Sequence, residues 1–177
     1  MPVETLFTAI KIAKKAGAII VQDPSPPNAL TDELLHLVDV IKPNKNEAEV
    51  LVNISVRDSN TARQAALKLL KRGVGAVAVQ AGSEGNLLVW PNGERWLPRY
   101  PVKSVDSTGA GDAFAAALGV AMAEGRSFEA AGPFASAAAA LTTAIVGVQA
   151  ALPRRKAVLE LIEQSDPEKL IRCNIAA

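Results

Sequence analysis

The residues with the clearest chemistry are Asp112 and the glycines before it, in the run Ser-Thr-Gly-Ala-Gly-Asp at residues 107–112. Gly109 and Gly111 are expected to allow a tight turn, because glycine adopts backbone angles that other residues resist. An alanine-rich helix to about residue 124 is predicted next, and the free N–H groups at a helix start form an anion site. A carboxylate beside an anion site is explained if Asp112 is a general base that deprotonates a hydroxyl attacking a phosphoryl group.

The same residues also have a purely structural explanation, in which Asp112 favours the positive end of its helix and the glycines serve packing. Two further groups have both kinds of explanation. Asn44 or Asn46 caps a predicted helix whose positive end Glu47 favours. Residues 82–85, Gly-Ser-Glu-Gly, are sufficient for a turn after an apolar strand.

The three groups together resemble a known family. Asp-Ser-Thr-Gly-Ala-Gly-Asp-Ala-Phe at residues 106–114, Pro-Asn-x-x-Glu-Ala-Glu at 43–49 and Gly-Ser-x-Gly at 82–85 are similar to motifs of the ribokinase-like (phosphofructokinase-B type) carbohydrate kinases. The resemblance covers nearly the whole chain, is closest to ribokinase and includes the proline-rich residues 24–27. It implies ATP-dependent phosphoryl transfer to a sugar hydroxyl, most like ribose to ribose 5-phosphate, with Asp112 as base.

Two alternatives stay open beside that function. One is another kinase of the same superfamily, such as a fructokinase, a ketodeoxygluconate kinase or a nucleoside kinase. The other is a truncated, non-catalytic module that binds nucleotide or pairs with a partner chain.

The resemblance also implies roles for individual residues. Asp112 would contact the sugar, and the anion hole would consist of Gly109, Ala110 and Gly111. Glu47 would help to hold Mg²⁺ through water, which suits an ion that keeps several waters. The nucleotide contacts would be Asn44, Gln80, Ala81, Gly82, Ser83, Glu84, Gly85, Gly111 and Ser136. The family's monovalent-cation site, for K⁺, would be formed by Asp106 and Thr108, together with the backbone near Thr142, Ile145 and Gly147.

Two residues depart from the family pattern. Ser136 stands where ribokinases usually have an asparagine near the adenine, and its shorter hydroxyl still offers a hydrogen bond. Ala151 stands where a serine can help to hold the cation. Because that oxygen is lost, dependence on K⁺ is an open question.

Composition narrows the class of protein. The chain has 177 residues, 49% of them hydrophobic and 21% charged, with a net charge of +1. This length suits one domain with a sizeable core, and the charge favours neither nucleic acid nor an anionic membrane. The single cysteine, Cys173, has no partner for an internal disulfide, and with a single histidine, His36, the chain has no metal-ligand cluster of Cys or His. The apolar runs are shorter than a membrane span, so we expect a cytoplasmic protein.

The chain order predicts an α/β fold, a ribokinase-like three-layer sandwich with a mostly parallel sheet. A short strand at Val105 should precede the central motif, and Ser59 or Asn60 should cap the helix over 59–72. Other helices are predicted at 2–16, 31–37, 44–51, 127–145 and 153–164. Strands are predicted at 18–22, 38–42 and 76–80, with a hairpin around Asn92-Gly93.

We interpret residues 1–165 as the C-terminal, nucleotide-binding and catalytic-base part of a ribokinase-like domain, followed by a tail at 166–177. In the family, the N-terminal strands, most sugar contacts and a β lid precede this part. The chain is therefore expected to be a fragment, one piece of a split gene or a degenerate copy. An unpaired sheet edge predicts self-association or a complementary N-terminal chain.

Overall fold

A computed structural model of the chain describes residues 2–27, 30–81, 85–97 and 99–165. The chain forms two compact units, Met1–Trp96 and Leu97–Ala177. The predicted tail, residues 166–177, lies outside the described residues. The helices are α1 (Val3–Lys15), α2 (Asp32–Leu35), α3 (Lys45–Val52), α4 (Ser59–Lys71), α5 (Ala110–Ala123), α6 (Phe128–Thr142) and α7 (Arg155–Gln164). The strands are β1 (Val21–Gln22), β2 (Val40–Ile41), β3 (Ala76–Gln80), β4 (Asn86–Trp90) and β5 (Gly93–Leu97).

One mixed sheet has the strand order β1-β2-β3-β4-β5. The β1–β2 and β2–β3 pairs are parallel, with Val40 opposite both Val21 and Ala76, and the β3–β4 pair is antiparallel. The predicted hairpin is confirmed, and it extends this sheet. The first two strands are shorter than predicted, mainly because each begins later in the chain. Pro24 and Pro43, which lack an N–H for a ladder, follow closely after their ends.

The core of the first unit lies where the sheet meets the amphipathic helices. Strand β3 reads Ala-Val-Ala-Val-Gln, and its first four residues are buried, as expected for a strand covered on both faces. Helix α4 buries Ala62, Ala66 and Leu69 at the spacing of one helical face. Leu34 and Leu35 of α2 are also fully buried in this core.

The cap of α4 differs from the prediction. Asp58, and neither Ser59 nor Asn60, is the N-cap. Its Oδ1 accepts a hydrogen bond from the Thr61 amide at 2.8 Å, and the Asp58 amide donates to Thr61 Oγ1 at 3.0 Å. Asp58, Ser59 and Asn60 can all cap a helix. The reciprocal capping box satisfies two amides together, and it therefore makes Asp58 the cap.

The second unit is built from α5, α6 and α7. Helix α5 packs against α6, and α6 packs against α7. Small residues face this contact, and Phe114 and Leu118 of α5 are fully buried. Helix α6 ends at Thr142, three residues earlier than its predicted end at residue 145.

The strand predicted at Val105 is wrong. Residues 99–109 contain no strand, and Val105 is 55% exposed. The amides of Val105 and Asp106 both donate to the Thr143 carbonyl, at 2.8 and 3.2 Å, so the end of α6 holds this segment. Across the described ranges, none of the helices has both the length and the apolar character needed to cross a membrane.

Candidate active site

The central motif forms the N-terminus of α5. Gly109 is the N-cap with φ 79° and ψ −3°, a left-handed conformation that favours glycine. The first helical hydrogen bond runs from the Ala113 amide to the Gly109 carbonyl at 2.9 Å. The amides of Gly111 and Asp112 therefore belong to the first turn, where a helix offers no internal acceptor.

Two details of this turn refine the predicted anion hole. The Ala110 amide donates to the Ser107 carbonyl at 3.2 Å, which leaves the amides of Gly111 and Asp112 as the better placed donors. Gly111 lies within α5 and is absent from the residues with positive φ, so the expectation of an unusual backbone angle there is wrong. The tight geometry is carried by Gly109, where an added Cβ would lie 3.3 Å from Val148 Cγ1.

Asp112 combines an exposed side chain with a rigid backbone. It is exposed, and it is the acidic residue in the first turn of α5. Phe114, two residues later, is fully buried and anchors the same turn in the second unit. A carboxylate that is open to a ligand therefore lies on the helix end that carries free amides and the positive end of the helix dipole.

The segment before α5 is organised by Asp106. Its Oδ1 accepts hydrogen bonds from the Thr108 amide at 2.9 Å and from Thr108 Oγ1 at 2.7 Å. Its Oδ2 accepts a longer bond from the Gly147 amide at 3.4 Å. The Thr108 hydroxyl, the Thr108 amide and the Gly147 amide together hold the pKa of Asp106 below its usual value, because they stabilise the ionised form.

The residues predicted for the cation site are thus brought together in part. Asp106, Thr108 and Gly147 are joined by hydrogen bonds, and Ile145 is exposed two residues before Gly147. The Thr142 side chain is buried, and its hydroxyl donates to the Ala138 carbonyl at 2.9 Å. The proton of this hydroxyl is therefore engaged within α6, and the prediction for this position concerns the backbone.

Ser136, predicted to lie near the adenine, is only 5% exposed in the middle of α6. Its neighbours Ala135 and Ala137 are buried as well. Its role toward a nucleotide stays a prediction.

The other predicted site residues lie in the first unit, at the carboxyl ends of β2 and β3. Asn44 caps α3 and forms a capping box with Glu47, which decides between Asn44 and Asn46 as the cap. Gln80 pairs with Asn44 in an isolated parallel bridge, and the Gln80 amide donates to the Pro43 carbonyl at 2.9 Å. The sheet thereby places the Asn44–Glu47 turn directly beside the end of β3.

The turn after β3 is closed at its base. The Ala81 amide donates to the Gly85 carbonyl at 2.9 Å, and both residues are buried. Gly82, Ser83 and Glu84, which were predicted to contact the nucleotide, lie outside the described residues. The prediction for these three residues stays open.

Sequence reasoning missed Lys42 and Asp23. The Lys42 side chain is 3% exposed, and its Nζ lies 2.7 Å from Asp23 Oδ2 and 3.1 Å from Gln80 Oε1. A signal was present in the sequence, since Lys42 ends the apolar run Val-Ile immediately before Pro43 and the Asn-x-x-Glu motif. A lysine at the end of a buried strand needs a partner, and that requirement was overlooked.

A cation in the first unit would depend on few protein ligands. Within the described ranges, no group of three or more His, Cys, Asp or Glu side chains could hold a metal ion. One oxygen of Glu47, Oε2, accepts the Asn44 amide at 2.8 Å, which fixes the carboxylate while its other oxygen remains available to a water. This donor set fits Mg²⁺ held through water, because Mg²⁺ takes few protein oxygens and keeps its hydration.

Comparison with known proteins decides the family. The model of the pfkB family of carbohydrate kinases matches residues 1–155. The chain belongs to this family. The recognition of a ribokinase-like kinase from the three motifs is thereby confirmed.

Several relatives of this pfkB-family chain are named ribokinase. A ribokinase of Haemophilus influenzae is 35% identical over 164 residues, which are 93% of this chain and 54% of the relative. The chain therefore spans about half the length of that protein.

Solved structures confirm the fold. A ribokinase of Thermotoga maritima has a TM-score of 0.80 and 34% identity, and the match covers 93% of this chain and 54% of the Thermotoga chain. The Arabidopsis thaliana ribokinase, solved with ribose and ATP, has a TM-score of 0.83 and 34% identity over the same shares. The predicted ribokinase-like α/β fold is confirmed.

Proposed function

We propose that this chain supplies the nucleotide-binding and catalytic-base part of an ATP-dependent sugar kinase. The observation that carries the proposal is the start of α5, where an exposed carboxylate, Asp112, shares a turn with free backbone amides behind a left-handed Gly109. Membership of the pfkB family of carbohydrate kinases supports it.

In the proposed reaction, Asp112 is the general base. Its carboxylate takes the proton of a sugar hydroxyl while that oxygen forms a bond to the γ-phosphorus of ATP. The bond from this phosphorus to the β–γ bridging oxygen breaks, and ADP leaves with the electron pair. General-base catalysis by a positioned carboxylate contributes about 10²–10⁴-fold to such a step.

The amides of the first turn of α5 are proposed to stabilise the transferring phosphoryl group. The Gly111 and Asp112 N–H groups and the helix dipole all favour negative charge at this end. Because these groups are fixed by the helix, they need little rearrangement when charge develops on the phosphoryl oxygens. Gly109 allows the close approach, since it lacks a Cβ.

The nucleotide is proposed to contact the ends of β2 and β3, through Asn44, the Gln80–Ala81 segment and the turn closed at Gly85. In sheets with parallel strands, ligands bind beyond the carboxyl ends of the strands, and these residues lie there. Glu47 would hold Mg²⁺ through water, and the charge of the ion would offset the negative charge of the phosphates. Glu47 is already oriented for this role by its hydrogen bond from Asn44.

A monovalent cation such as K⁺ is proposed near Asp106. The hydrogen bonds from Thr108 and Gly147 stabilise the ionised Asp106 carboxylate, and this negative charge can balance a cation. Backbone carbonyls around Gly147 would supply neutral oxygen ligands. Ala151 contributes no side-chain oxygen at its position, so we expect a weak dependence on K⁺.

The proposed acceptor is ribose, phosphorylated to ribose 5-phosphate. The Haemophilus and Thermotoga relatives are named ribokinase, and the Arabidopsis protein was solved with ribose and ATP. A different sugar or a nucleoside would leave the chemistry at Asp112 unchanged. Phosphorylation assays with ribose, fructose, ketodeoxygluconate and a nucleoside in parallel decide among these acceptors.

Calorimetry with Mg·ATP tests whether the chain binds nucleotide. We expect weak, saturable binding by the parent chain and none by Gly109→Val, whose side chain would strain φ and contact Val148. Gly125→Val is a matched control, because Gly125 follows the other end of α5 with φ 86° and open space around it. A folded parent chain without saturable binding would reject the nucleotide role and leave only a structural module.

The sheet edge at β1 is proposed to pair with another polypeptide. Among the strands of the described residues, β1 neighbours only β2. The Ile20 and Gln22 carbonyls accept amides of the β2 segment, so by alternation the N–H and C=O of Val21 point away from β2. Ile12 and Ile19 are exposed, at 66% and 40%.

Light scattering of the chain alone and mixed with the N-terminal half of a ribokinase separates the two possible partners. Larger species for the chain alone indicate self-association, and a new species on mixing indicates a complementary chain. Val21→Pro removes the outward N–H and should weaken either association. A monomer under both conditions would contradict the proposal.

A further inference from the structure

Within the part of the chain that the structure describes, Lys42 is the one charged residue that is buried. It is 2% exposed at the end of β2, and its side chain contacts one acceptor on each neighbouring strand end. Asp23, directly after β1, is 2.7 Å from Nζ, and Gln80, the last residue of β3, accepts a hydrogen bond at 3.1 Å. A single ammonium group therefore joins the carboxyl ends of the three parallel strands.

The ammonium is neutralised where it lies. Asp23 supplies the opposite charge, so the pair carries no net charge toward a ligand. Taking a lysine out of water is costly, and removing one partner of such a pair leaves an uncompensated charge. Lys42 can therefore affect a nearby ligand site by orienting the groups around it, rather than by its charge.

The groups that Lys42 fixes are those of the proposed nucleotide site. The Lys42 amide donates to the Gln22 carbonyl at 2.9 Å, and the Gln80 amide donates to the Pro43 carbonyl at 2.9 Å. Asn44 pairs with Gln80 in the parallel bridge. Holding the Gln80 side chain thus fixes both the base of the turn after β3 and the start of α3.

We propose that Lys42 is a positioning residue for the nucleotide site, acting through Gln80 and Asn44, with Asp23 as its counter-ion. The inference builds on the proposed function, because it assumes that nucleotide binds at these strand ends. Lys42 itself need not touch the nucleotide. Its loss lets the Gln80 side chain and the Asn44–Glu47 turn move away from the orientation that the ligand requires.

The chain contains a second Lys–Asp pair that serves as a control. Lys14 Nζ lies 2.8 Å from Asp39 Oδ1, and Asp39 Oδ2 accepts the Ile20 amide at 2.7 Å. This pair joins α1 to the amino ends of β1 and β2, at the opposite end of the same strands. The Lys14 side chain is 35% exposed, in contrast with 3% for Lys42.

The test compares Lys42→Met, Lys14→Met and the double variant Asp23→Leu/Lys42→Met by calorimetry with Mg·ATP and by thermal unfolding. Lys42 is buried and Asp23 is 34% exposed, so the double variant leaves no unpaired charge in the core and should fold about as well as the parent. We expect its dissociation constant for Mg·ATP to rise about tenfold, by analogy with the loss of metal affinity when the hydrogen-bond partner of a metal ligand is removed. Lys14→Met should bind like the parent.

Amide hydrogen exchange without nucleotide provides a second, independent measurement. We expect faster exchange at Gln80 and Glu47 in the double variant, and unchanged exchange at Ala78 in the centre of β3. If Lys42 has only a structural role, the double variant should match the parent in stability and in Mg·ATP binding, and the amides of Gln80 and Glu47 should stay protected.

If the double variant equals the parent in both Mg·ATP binding and amide exchange, the inference about Lys42 is overturned and the proposed function is unaffected. A folded parent chain that shows no saturable Mg·ATP binding would overturn the proposed function, and the inference with it.

Discussion

Asn44 and Glu47 each bind the other's backbone. The Asn44 amide donates to Glu47 Oε2 at 2.8 Å, and the Glu47 amide donates to Asn44 Oδ1 at 3.0 Å. Both side chains therefore help α3 to begin where it does, with or without a ligand. A variant that removes either side chain tests folding and nucleotide binding together, so a variant that separates the two is needed.

Glu47→Gln makes that separation. Glutamine also forms a capping box, so the free energy of unfolding should change little, while the charge that would hold hydrated Mg²⁺ is lost. We expect ATP binding that no longer strengthens when Mg²⁺ is added, measured by calorimetry with and without the ion. Asp58→Asn, at the capping box of α4, is the control and should keep the Mg²⁺ effect. An unchanged Mg²⁺ effect in Glu47→Gln would reject the metal role.

Asp112→Asn keeps size and hydrogen bonding but removes basicity. In an active background, such as this chain complemented by the N-terminal half of a ribokinase, turnover should fall by about 10²–10⁴-fold. Mg·ATP binding should persist. Glu4→Gln, which changes an acidic residue in the first turn of α1, should leave turnover unchanged.

Two results would contradict the role of Asp112 as base. Turnover of Asp112→Asn close to that of the parent would reject the catalytic assignment. Loss of binding together with turnover would assign Asp112 a structural role at the start of α5. A complemented parent that never turns over would favour the non-catalytic module.

Thr108→Val should raise the pKa of Asp106 toward its ordinary value, because the Thr108 hydroxyl is the largest cause of the lowered pKa. A carboxyl group whose folded pKa is lowered stabilises the fold above its unfolded pKa of about 3.9, and this stability is lost as the pH falls through the folded value. The unfolding free energy of Thr108→Val should therefore fall less between about pH 6 and about pH 2 than that of the parent.

Titration of the Asp106 carboxyl by NMR measures this pKa directly. Thr108→Ser keeps the hydroxyl and should keep the low pKa. An equal pKa in the parent and Thr108→Val would show that the hydroxyl does not stabilise the ionised carboxyl.

Phe114→Ala should destabilise the second unit by about 3–5 kcal/mol, because it removes a fully buried ring from α5 and leaves a cavity. Val120→Ala on the same helix, where the side chain is 49% exposed, should cost about 0.5 kcal/mol or less. Urea unfolding of both variants measures the difference. Equal stabilities would mean that Phe114 does not anchor the turn that carries Asp112.

Local patterns were sufficient for much of the fold. The apolar run of β3, the helical spacing in α4 and the Asn-Gly hairpin all predicted elements that the structure contains. A helix was predicted from residue 31, and Thr31 is the N-cap of α2, with a side chain that accepts the Leu34 amide. These features depend on neighbours within a few residues, so the sequence specifies them directly.

Where several neighbours compete, the local pattern was ambiguous. Asp58, Ser59 and Asn60 are all good caps, and only the reciprocal bonds with Thr61 selected Asp58. The apolar Val105 fits a strand by composition, but its amide is taken by the Thr143 carbonyl, 38 residues away in the chain. Long-range contacts of this kind override local preference.

The sequence by itself determined the family and the candidate chemistry, because the motifs at 43–49, 82–85 and 106–114 each lie within one short segment. Only the tertiary structure decided which groups meet. It brought Asp23 and Gln80 to the ammonium of Lys42, and the Gly147 amide to Asp106. The reason is physical: a buried charge such as that of Lys42 needs partners, and the strand order and helix packing determine which distant residues can meet.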